Sequence, residues 1–169
     1  MNILIVGGGL QALSVARSLK KERYSVIALL HRGDISTKSK YIDELYTIDI
    51  TPTYKKEYLS SVHRVLQVHA ISVIIPLSDV TAEFLSIHKV NLEHEYHLKC
   101  AIPNYDIFQK ANDKWQLMDL CKENFIPHPR TQLLTSSNLQ EAAGAIGFPA
   151  LIKPNISVGA LEPGRWRLQ

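Results

Sequence analysis

The sequence predicts an α/β fold in three layers, in which helices cover both faces of a parallel sheet. Short β-branched runs alternate with segments whose apolar residues recur at helical spacing, and this alternation is typical of such a sheet. Near residues 104–112 the rhythm changes to short helices separated by loops. We therefore expect one domain at 1–111, the beginning of a second domain at 112–160, and an atypical tail at 161–169.

The first domain begins with a buried strand and continues as alternating helices and strands. Pro76 closes a later strand, because proline has no backbone N–H to donate to a neighbouring strand. Ser78 and Asp79 therefore lie at the carboxyl end of that strand. In order along the chain, we expect strands at 1–6, 24–30, 43–50, 71–76 and 98–103, and helices at 10–21, 58–66 and 80–87.

The second region is predicted to contain two helices and two extended segments. Asn112 is expected to cap a helix on which the apolar residues at 117, 121 and 125 stand four apart, and the prolines of 126–130 end it. Ser137 and Gln140 have the spacing of a capping box for a second helix, which Gly147 ends. The segments at 130–134 and 148–154 are expected to be extended, and the second is expected to deliver Lys153 from a buried strand.

Composition excludes several classes of protein. At 169 residues and 46% hydrophobic, the chain can bury a core, yet it has no apolar run long enough to span a membrane. A formal net charge of +3 with scattered Lys and Arg argues against nucleic-acid binding. Cys100 and Cys121 have no metal-like spacing, and neither do His94 and His97. We expect a cytoplasmic protein without metal ligands in this chain.

A glycine loop follows the first predicted strand. Gly7, Gly9 and Ala12 match a lenient GxGxxG/A pattern, in which the glycines permit a sharp turn and the following helix offers N–H groups to an anion. The acidic residue that should bind a ribose at the end of the second strand is missing, since Arg32 stands there and Asp34 comes too late. A Rossmann-type NAD(P)-binding domain of an oxidoreductase therefore remains an alternative.

Two lysines form the more discriminating pattern. Lys114 opens a helix, and Lys153 is followed by a polar loop that contains Asn155, Ser157, Gly159 and Ala160. A lysine is a compact charge suited to phosphate oxygens, and small residues beside it let backbone N–H groups approach the same anion. For Lys114, an ordinary surface position is the competing interpretation.

On these residues the chain resembles the amino-terminal part of ATP-grasp enzymes, especially those like carbamoyl-phosphate synthase and the related amino-acid and peptide ligases. The segment "ILIVGGGLQALSVARSLKK" is similar to the opening of their Rossmann-like pre-ATP-grasp domain, and "IIPLSD" to a later strand end. The segments "NDK", "IPHPRT" and "GFPALIKPNISVGA" are similar to the entry into the ATP-grasp domain. The resemblance therefore implies a pre-ATP-grasp domain followed by an incomplete ATP-grasp domain.

The resemblance also implies an activity and a set of roles. A complete enzyme would use ATP and Mg²⁺ to activate a small-molecule carboxylate as an acyl phosphate, which an amine then attacks. By resemblance, the residues that contact ATP phosphates or close over them are Lys114, Lys153, Ser157, Gly159 and Ala160. The candidates for the substrate cleft at the strand ends are Gly7, Gly8, Gly9, Gln11 and Asp79.

The chain departs from the family after Ala160, where it continues as "LEPGRWRLQ". The family's adenine-binding segment and acidic magnesium ligands lie further along, so we expect the isolated chain to be inactive. A third, non-enzymatic interpretation is an assembly module, which a tight homodimer without nucleotide binding would favour.

Overall fold

A computed structural model describes residues 1–50 and 55–156 of the chain. They separate into two compact units, 1–108 and 109–156. The predicted phosphate-loop residues Ser157, Gly159 and Ala160 and the tail at 161–169 lie outside the described residues. The assignment of 112–160 to an ATP-grasp domain stays a prediction.

The first unit contains a five-stranded sheet in the order β3-β2-β1-β4-β5, and its recorded strand pairs are parallel. This confirms the predicted parallel α/β sheet. Its strands are β1 (Asn2–Val6), β2 (Ser25–His31), β3 (Glu44–Ile48), β4 (Ile71–Pro76) and β5 (Lys99–Cys100). The helices between them are α1 (Gly9–Lys21), α2 (Lys55–Val68) and α3 (Asp79–Tyr96), and a short 3₁₀ helix covers Ile35–Lys38.

Successive side chains of the central strands point into two different cores. In β1, Leu4 and Val6 join a core that also contains α2 and α3 residues, whereas Ile5 joins a second core with Ala12 and Ala16 of α1. The same alternation runs through β2. Because side chains alternate across a strand, a strand that is apolar at every position must be covered on both faces. The three-layer arrangement follows from this pattern.

The second unit consists of short helices, and several sequence-based expectations for it are wrong. Asn112 caps no helix but ends α4 (Tyr105–Asn112), which the sequence did not predict; Asp113 caps α5 (Lys114–Glu123). Ser137 does not begin a capping box, because Asn138 is the N-cap of α6 (Leu139–Ile146) and its side chain accepts from Thr135 N–H instead. Gly147 ends α6 with a φ of 78°, a value that favours glycine.

The two extended segments predicted at 130–134 and 148–154 form no strands within the described residues. The expected burial beside Lys153 is also wrong, since Leu151 is 77% and Ile152 is 66% exposed. Phe125 follows the end of α5 and is 94% exposed. The physical reason is that a strand needs a hydrogen-bonded neighbour and a covering apolar layer, and the described residues of this unit supply neither.

Shortening a buried side chain of the central strand β1 is expected to destabilise the first unit. Leu4 is fully buried, so Leu4→Ala should lower the free energy of unfolding by about 2–5 kcal/mol through lost apolar burial and a residual cavity. Leu10→Ala is the matched control, because Leu10 is 72% exposed. Urea unfolding followed by circular dichroism measures both, and equal losses would contradict the placement of β1 in the core.

Candidate functional site

The carboxyl ends of β1 and β4 meet at the point where the strand order reverses. Starting from β1, the chain adds β2 and β3 on one side of the sheet and then β4 and β5 on the other. In open parallel sheets, the crevice at such a point is the usual ligand site. Gly7 follows β1 here, and a Cβ on Gly7 would lie 3.2 Å from Oγ1 of Thr81 in α3. The glycine therefore lets the loop after β1 approach the first turn of α3.

A capping box formed by Ser78 and Thr81 satisfies the start of α3. Ser78 is the N-cap: its Oγ accepts from Thr81 N–H at 3.3 Å, and Thr81 Oγ1 accepts from Ser78 N–H at 3.0 Å. Asp79, which could also have capped the helix as the residue next to Ser78, is its first residue instead. Asp79 and Gln11 are both exposed near the strand ends, in the first turns of α3 and α1. That they line a substrate cleft with Gly7, Gly8 and Gly9 stays a prediction.

An internal carboxylate occupies the amino end of α1. Gly9 N–H lies 3.0 and 2.9 Å from the two carboxylate oxygens of Asp34. Ser36 donates to the same carboxylate from its N–H at 2.8 Å and from its hydroxyl. A Cβ on Gly8 would lie 2.1 Å from Asp34 Oδ2, so glycine is needed there for close approach. Nothing in the sequence indicated this role for Asp34.

The surroundings of Asp34 favour its ionised form. Partial burial raises the pKa of Asp34, but the hydrogen bonds from Ser36 and Gly9 outweigh burial and hold the pKa below its ordinary value. A negative charge also interacts favourably with the amino end of a helix. The anion position that the glycine pattern offers is therefore filled by the chain itself, which argues against a dinucleotide phosphate there. Arg32, which stands where the dinucleotide pattern expects an acidic residue, donates to Asp49 at 2.8 Å.

The structure brings the two lysine segments of the second unit together. Asn155 accepts from Lys114 N–H at 3.0 Å with its carbonyl and from Trp115 N–H at 2.8 Å with its Oδ1. Its Nδ2 donates to Asp113 Oδ2 at 2.9 Å, while Asp113 Oδ1 accepts from Gln116 N–H at 3.0 Å. We call this set of contacts the Asp113–Asn155 latch. It joins residues 42 positions apart in the chain.

The latch places Lys114 beside the segment that carries Lys153. Lys114 Nζ donates to the Asn155 carbonyl at 3.3 Å, two residues after Lys153, which is exposed. Partial burial raises the pKa of Asp113, but hydrogen bonds from Gln116 and Asn155 outweigh burial and lower it overall. From the sequence, Asn155 was only one member of a polar loop. The one signal for Asp113 was its position three residues before Gln116, the spacing of a capped helix start.

Neither a metal cluster nor a membrane-spanning helix occurs in residues 1–50 and 55–156. These ranges contain no group of three or more His, Cys, Asp or Glu side chains that could hold a metal ion. No helix in the same ranges is long and apolar enough to cross a membrane.

A methyl group on Gly8 is expected to expel the Asp34 carboxylate. Gly8→Ala should lower the free energy of unfolding of the first unit by about 1–3 kcal/mol, as overpacking usually does. In an Asp34→Ala background the same substitution should cost much less, because the clashing oxygens are gone. Denaturant unfolding of the four proteins measures this, and equal costs in both backgrounds would contradict the contact.

Asp34 should also make stability depend on pH. Because its pKa is lowered in the fold, its ionised form stabilises the protein above the ordinary Asp value of about 3.9 and stops doing so as the pH falls through the folded-state pKa. Asp34→Asn should therefore cost about 1–3 kcal/mol near pH 6 and progressively less towards pH 2. Asp49→Asn, at an exposed ion pair, is the control and should cost little. A pH-independent difference for Asp34→Asn would refute the assignment.

Among curated proteins, D-aspartate ligase from Enterococcus faecium (strain Aus0004) is similar to this chain, with 23% identity over 171 residues. The alignment covers 94% of this chain but 39% of the relative. The chain thus spans well under half the length of the curated ligase it matches. No family model matches the chain.

The solved structures with a similar fold include two kinds of enzyme. N5-carboxyaminoimidazole synthetase from Staphylococcus aureus, complexed with ADP, matches 92% of this chain and 38% of its own with a TM-score of 0.64 at 18% identity. The biotin carboxylase domain of 2-oxoglutarate carboxylase from Hydrogenobacter thermophilus, a dimer with MgADP and bicarbonate, matches 88% of this chain and 33% of its own with a TM-score of 0.63 at 19% identity. The resemblance stated from the sequence is thus confirmed: in sequence and fold, this chain matches the amino-terminal part of ATP-grasp carboxylate–amine ligases.

Proposed function

We propose that this chain is the amino-terminal part of an ATP-dependent ligase that joins a carboxylate to an amine. The observation that carries the proposal is the latch, which brings the Lys114 and Lys153 segments together although they are far apart in sequence. Similarity to D-aspartate ligase extends over nearly the whole chain. Two of the similar structures hold ADP, which supports a nucleotide as the ligand of this fold.

In the proposed reaction, a carboxylate oxygen attacks the γ-phosphorus of ATP, and ADP leaves. The amine nitrogen then attacks the carbonyl carbon of the acyl phosphate, inorganic phosphate leaves, and the amine loses a proton. Lys114 and Lys153 neutralise phosphate charge as it develops, a form of electrostatic stabilisation. Ser157, Gly159 and Ala160 are proposed to close over the same phosphates. Mg²⁺, when bound, would supply further neutralisation of phosphate charge.

The substrate is proposed to bind at the reversal point of the sheet, in front of Gly7–Gly9 and between Gln11 and Asp79. The glycines let a ligand approach the backbone closely, and Asp34 already satisfies Gly9 N–H. Filling of the α1 terminus by a carboxylate disfavours a phosphate here. This arrangement assigns the nucleotide phosphates to the lysines and leaves the strand ends for the small-molecule substrate.

The second unit is proposed to be the first part of a larger ATP-grasp domain. Among its described residues, Ala142 is the one buried hydrophobic residue. The large hydrophobic side chains that are exposed there are Leu120, Phe125, Ile126, Leu133, Leu134, Leu139, Phe148, Leu151, Ile152 and Ile156. A further layer of a complete ligase would bury them and supply a strand neighbour for the 148–154 segment. A cytoplasmic homodimer remains part of this proposal.

Substitution of the lysines in a longer protein that includes the rest of the ATP-grasp fold should weaken MgATP binding. Lys114→Ala and Lys153→Ala should each raise the Kd by about 10- to 100-fold, since each removes a charge-assisted contact worth about 1.5–3 kcal/mol. Lys122→Ala is the matched control, because Lys122 is an exposed lysine in the last turn of α5. Calorimetric titration measures all of these.

Three results would contradict the proposal. Tight MgATP binding by the 169-residue chain alone would show that the nucleotide site needs nothing beyond it. An increase in melting temperature with NADPH, abolished by Gly9→Val, would instead favour the dinucleotide-binding alternative. A tight dimer that binds neither nucleotide would favour the assembly module.

A further inference from the structure

We infer that Asp113 and Asn155 are positioning residues for the nucleotide: their paired side chains hold the Lys114 and Lys153 segments so that both ammonium groups reach one polyphosphate. The inference rests on the proposed function, in which these lysines contact ATP phosphates. It adds two residues, neither of which carries positive charge, to the residues on which phosphate binding depends.

Asn155 uses its backbone and its side chain together to hold the start of α5. Its carbonyl accepts from both the N–H and the Nζ of Lys114, and its side-chain oxygen accepts from Trp115 N–H. The remaining side-chain group, Nδ2, donates to Asp113. These four hydrogen bonds fix the segment that immediately follows Lys153, so the position of Lys153 depends on Asn155.

The latch also uses the backbone donors at the start of α5. The N–H groups of Lys114, Trp115 and Gln116 already have acceptors in Asn155 and Asp113. These groups are the ones that a helix start would otherwise offer to a phosphate. The lysine side chains are therefore left as the groups that attract the anion, and their placement matters more than the helix terminus does.

Because Asp113 is negatively charged, its replacement by Asn distinguishes a positioning role from a purely electrostatic one by the direction in which MgATP affinity changes. A carboxylate near a phosphate site opposes anion binding, so electrostatics alone predicts that Asp113→Asn tightens MgATP binding. Positioning predicts the opposite. Asn caps helices about as well as Asp, so the amide oxygen introduced at position 113 can still accept from Gln116 N–H. The amide nitrogen introduced with it, however, cannot accept from Asn155 Nδ2, and the latch weakens.

Exchanging the two side chains should restore the latch. In Asn155→Asp two carboxylates face each other, which breaks the contact by like-charge repulsion. In the double variant D113N/N155D, the amide at position 113 can donate to the carboxylate at position 155, which can still accept from Trp115 N–H. The double variant also has the net charge of the wild type. Gln140→Glu is the control for an added charge, since Gln140 is exposed on α6.

The experiment uses the longer protein with two readouts, MgATP affinity by calorimetry and hydrogen–deuterium exchange of the segment 113–118. We expect D113N and N155D each to speed exchange of that segment and to weaken MgATP binding by about tenfold. D113N/N155D should recover affinity to within about threefold of the wild type, and Q140E should change neither readout.

Each failure has a different meaning. Faster exchange in D113N with unchanged or tighter MgATP binding would overturn the positioning role, while the loss in Lys114→Ala would keep the proposed function intact. Unchanged exchange in both single variants would show that the latch does not hold the segment. Absence of MgATP binding by the wild-type longer protein would overturn the proposed function and this inference with it.

Discussion

The first turn of an α-helix leaves N–H groups without partners inside the helix, and in this protein side chains from outside the helix satisfy many of them. Asp34 accepts at the start of α1, Ser78 at the start of α3, and Asp113 with Asn155 at the start of α5. Asp34 and Asn155 come from remote parts of the chain. At α1 and α3 these contacts fix the loops beyond the strand ends, and at α5 they join the two lysine segments, so the candidate sites depend on them.

The charge around the helix start differs between α1 and α5. At α1, the carboxylate of Asp34, whose pKa is lowered, accepts from Gly9 N–H, so this N–H is no longer available to an external anion. At α5, the acceptors include another ionised carboxylate, but Lys114 Nζ donates to Asn155 beside it, and Lys153 lies two residues before Asn155. Placing the phosphates at α5 and a small substrate at the strand ends is therefore the assignment that charge favours.

The two units also differ in how well each buries its apolar residues. The strands of the first unit are covered on both faces, and its two cores contain most of the large aliphatic side chains. The described part of the second unit leaves ten large apolar side chains exposed. Exposed apolar area on this scale is typical of a surface that another layer covers. Folding of the first unit on its own is expected to be easier than that of the second.

Some features could be predicted from the sequence because they arise from local chemistry. The β-branched runs, the helical periodicity and Pro76 indicated the parallel sheet and its order of elements, and each depends on neighbours along the chain. The resemblance of the chain to ATP-grasp ligases was also readable in the sequence and is confirmed by the comparisons, whereas the roles of the lysines stay a prediction. Helix starts were less predictable, because adjacent polar residues can each serve as the N-cap. The cap of α5 is Asp113 and not the neighbouring Asn112, and the cap of α6 is Asn138 and not the neighbouring Ser137.

Tertiary structure alone decided which remote groups meet. No local pattern indicated that Asp34 would reach Gly9 or that Asn155 would join Asp113, because these pairs lie 25 and 42 positions apart and form only when the chain has folded back. The strand predicted at 148–154 was wrong for the same reason, since β structure needs a partner that sequence periodicity cannot supply. The sequence by itself determined the layers and the residue types of the sites, and the folded chain determined which backbone N–H groups their carboxylates and amides satisfy.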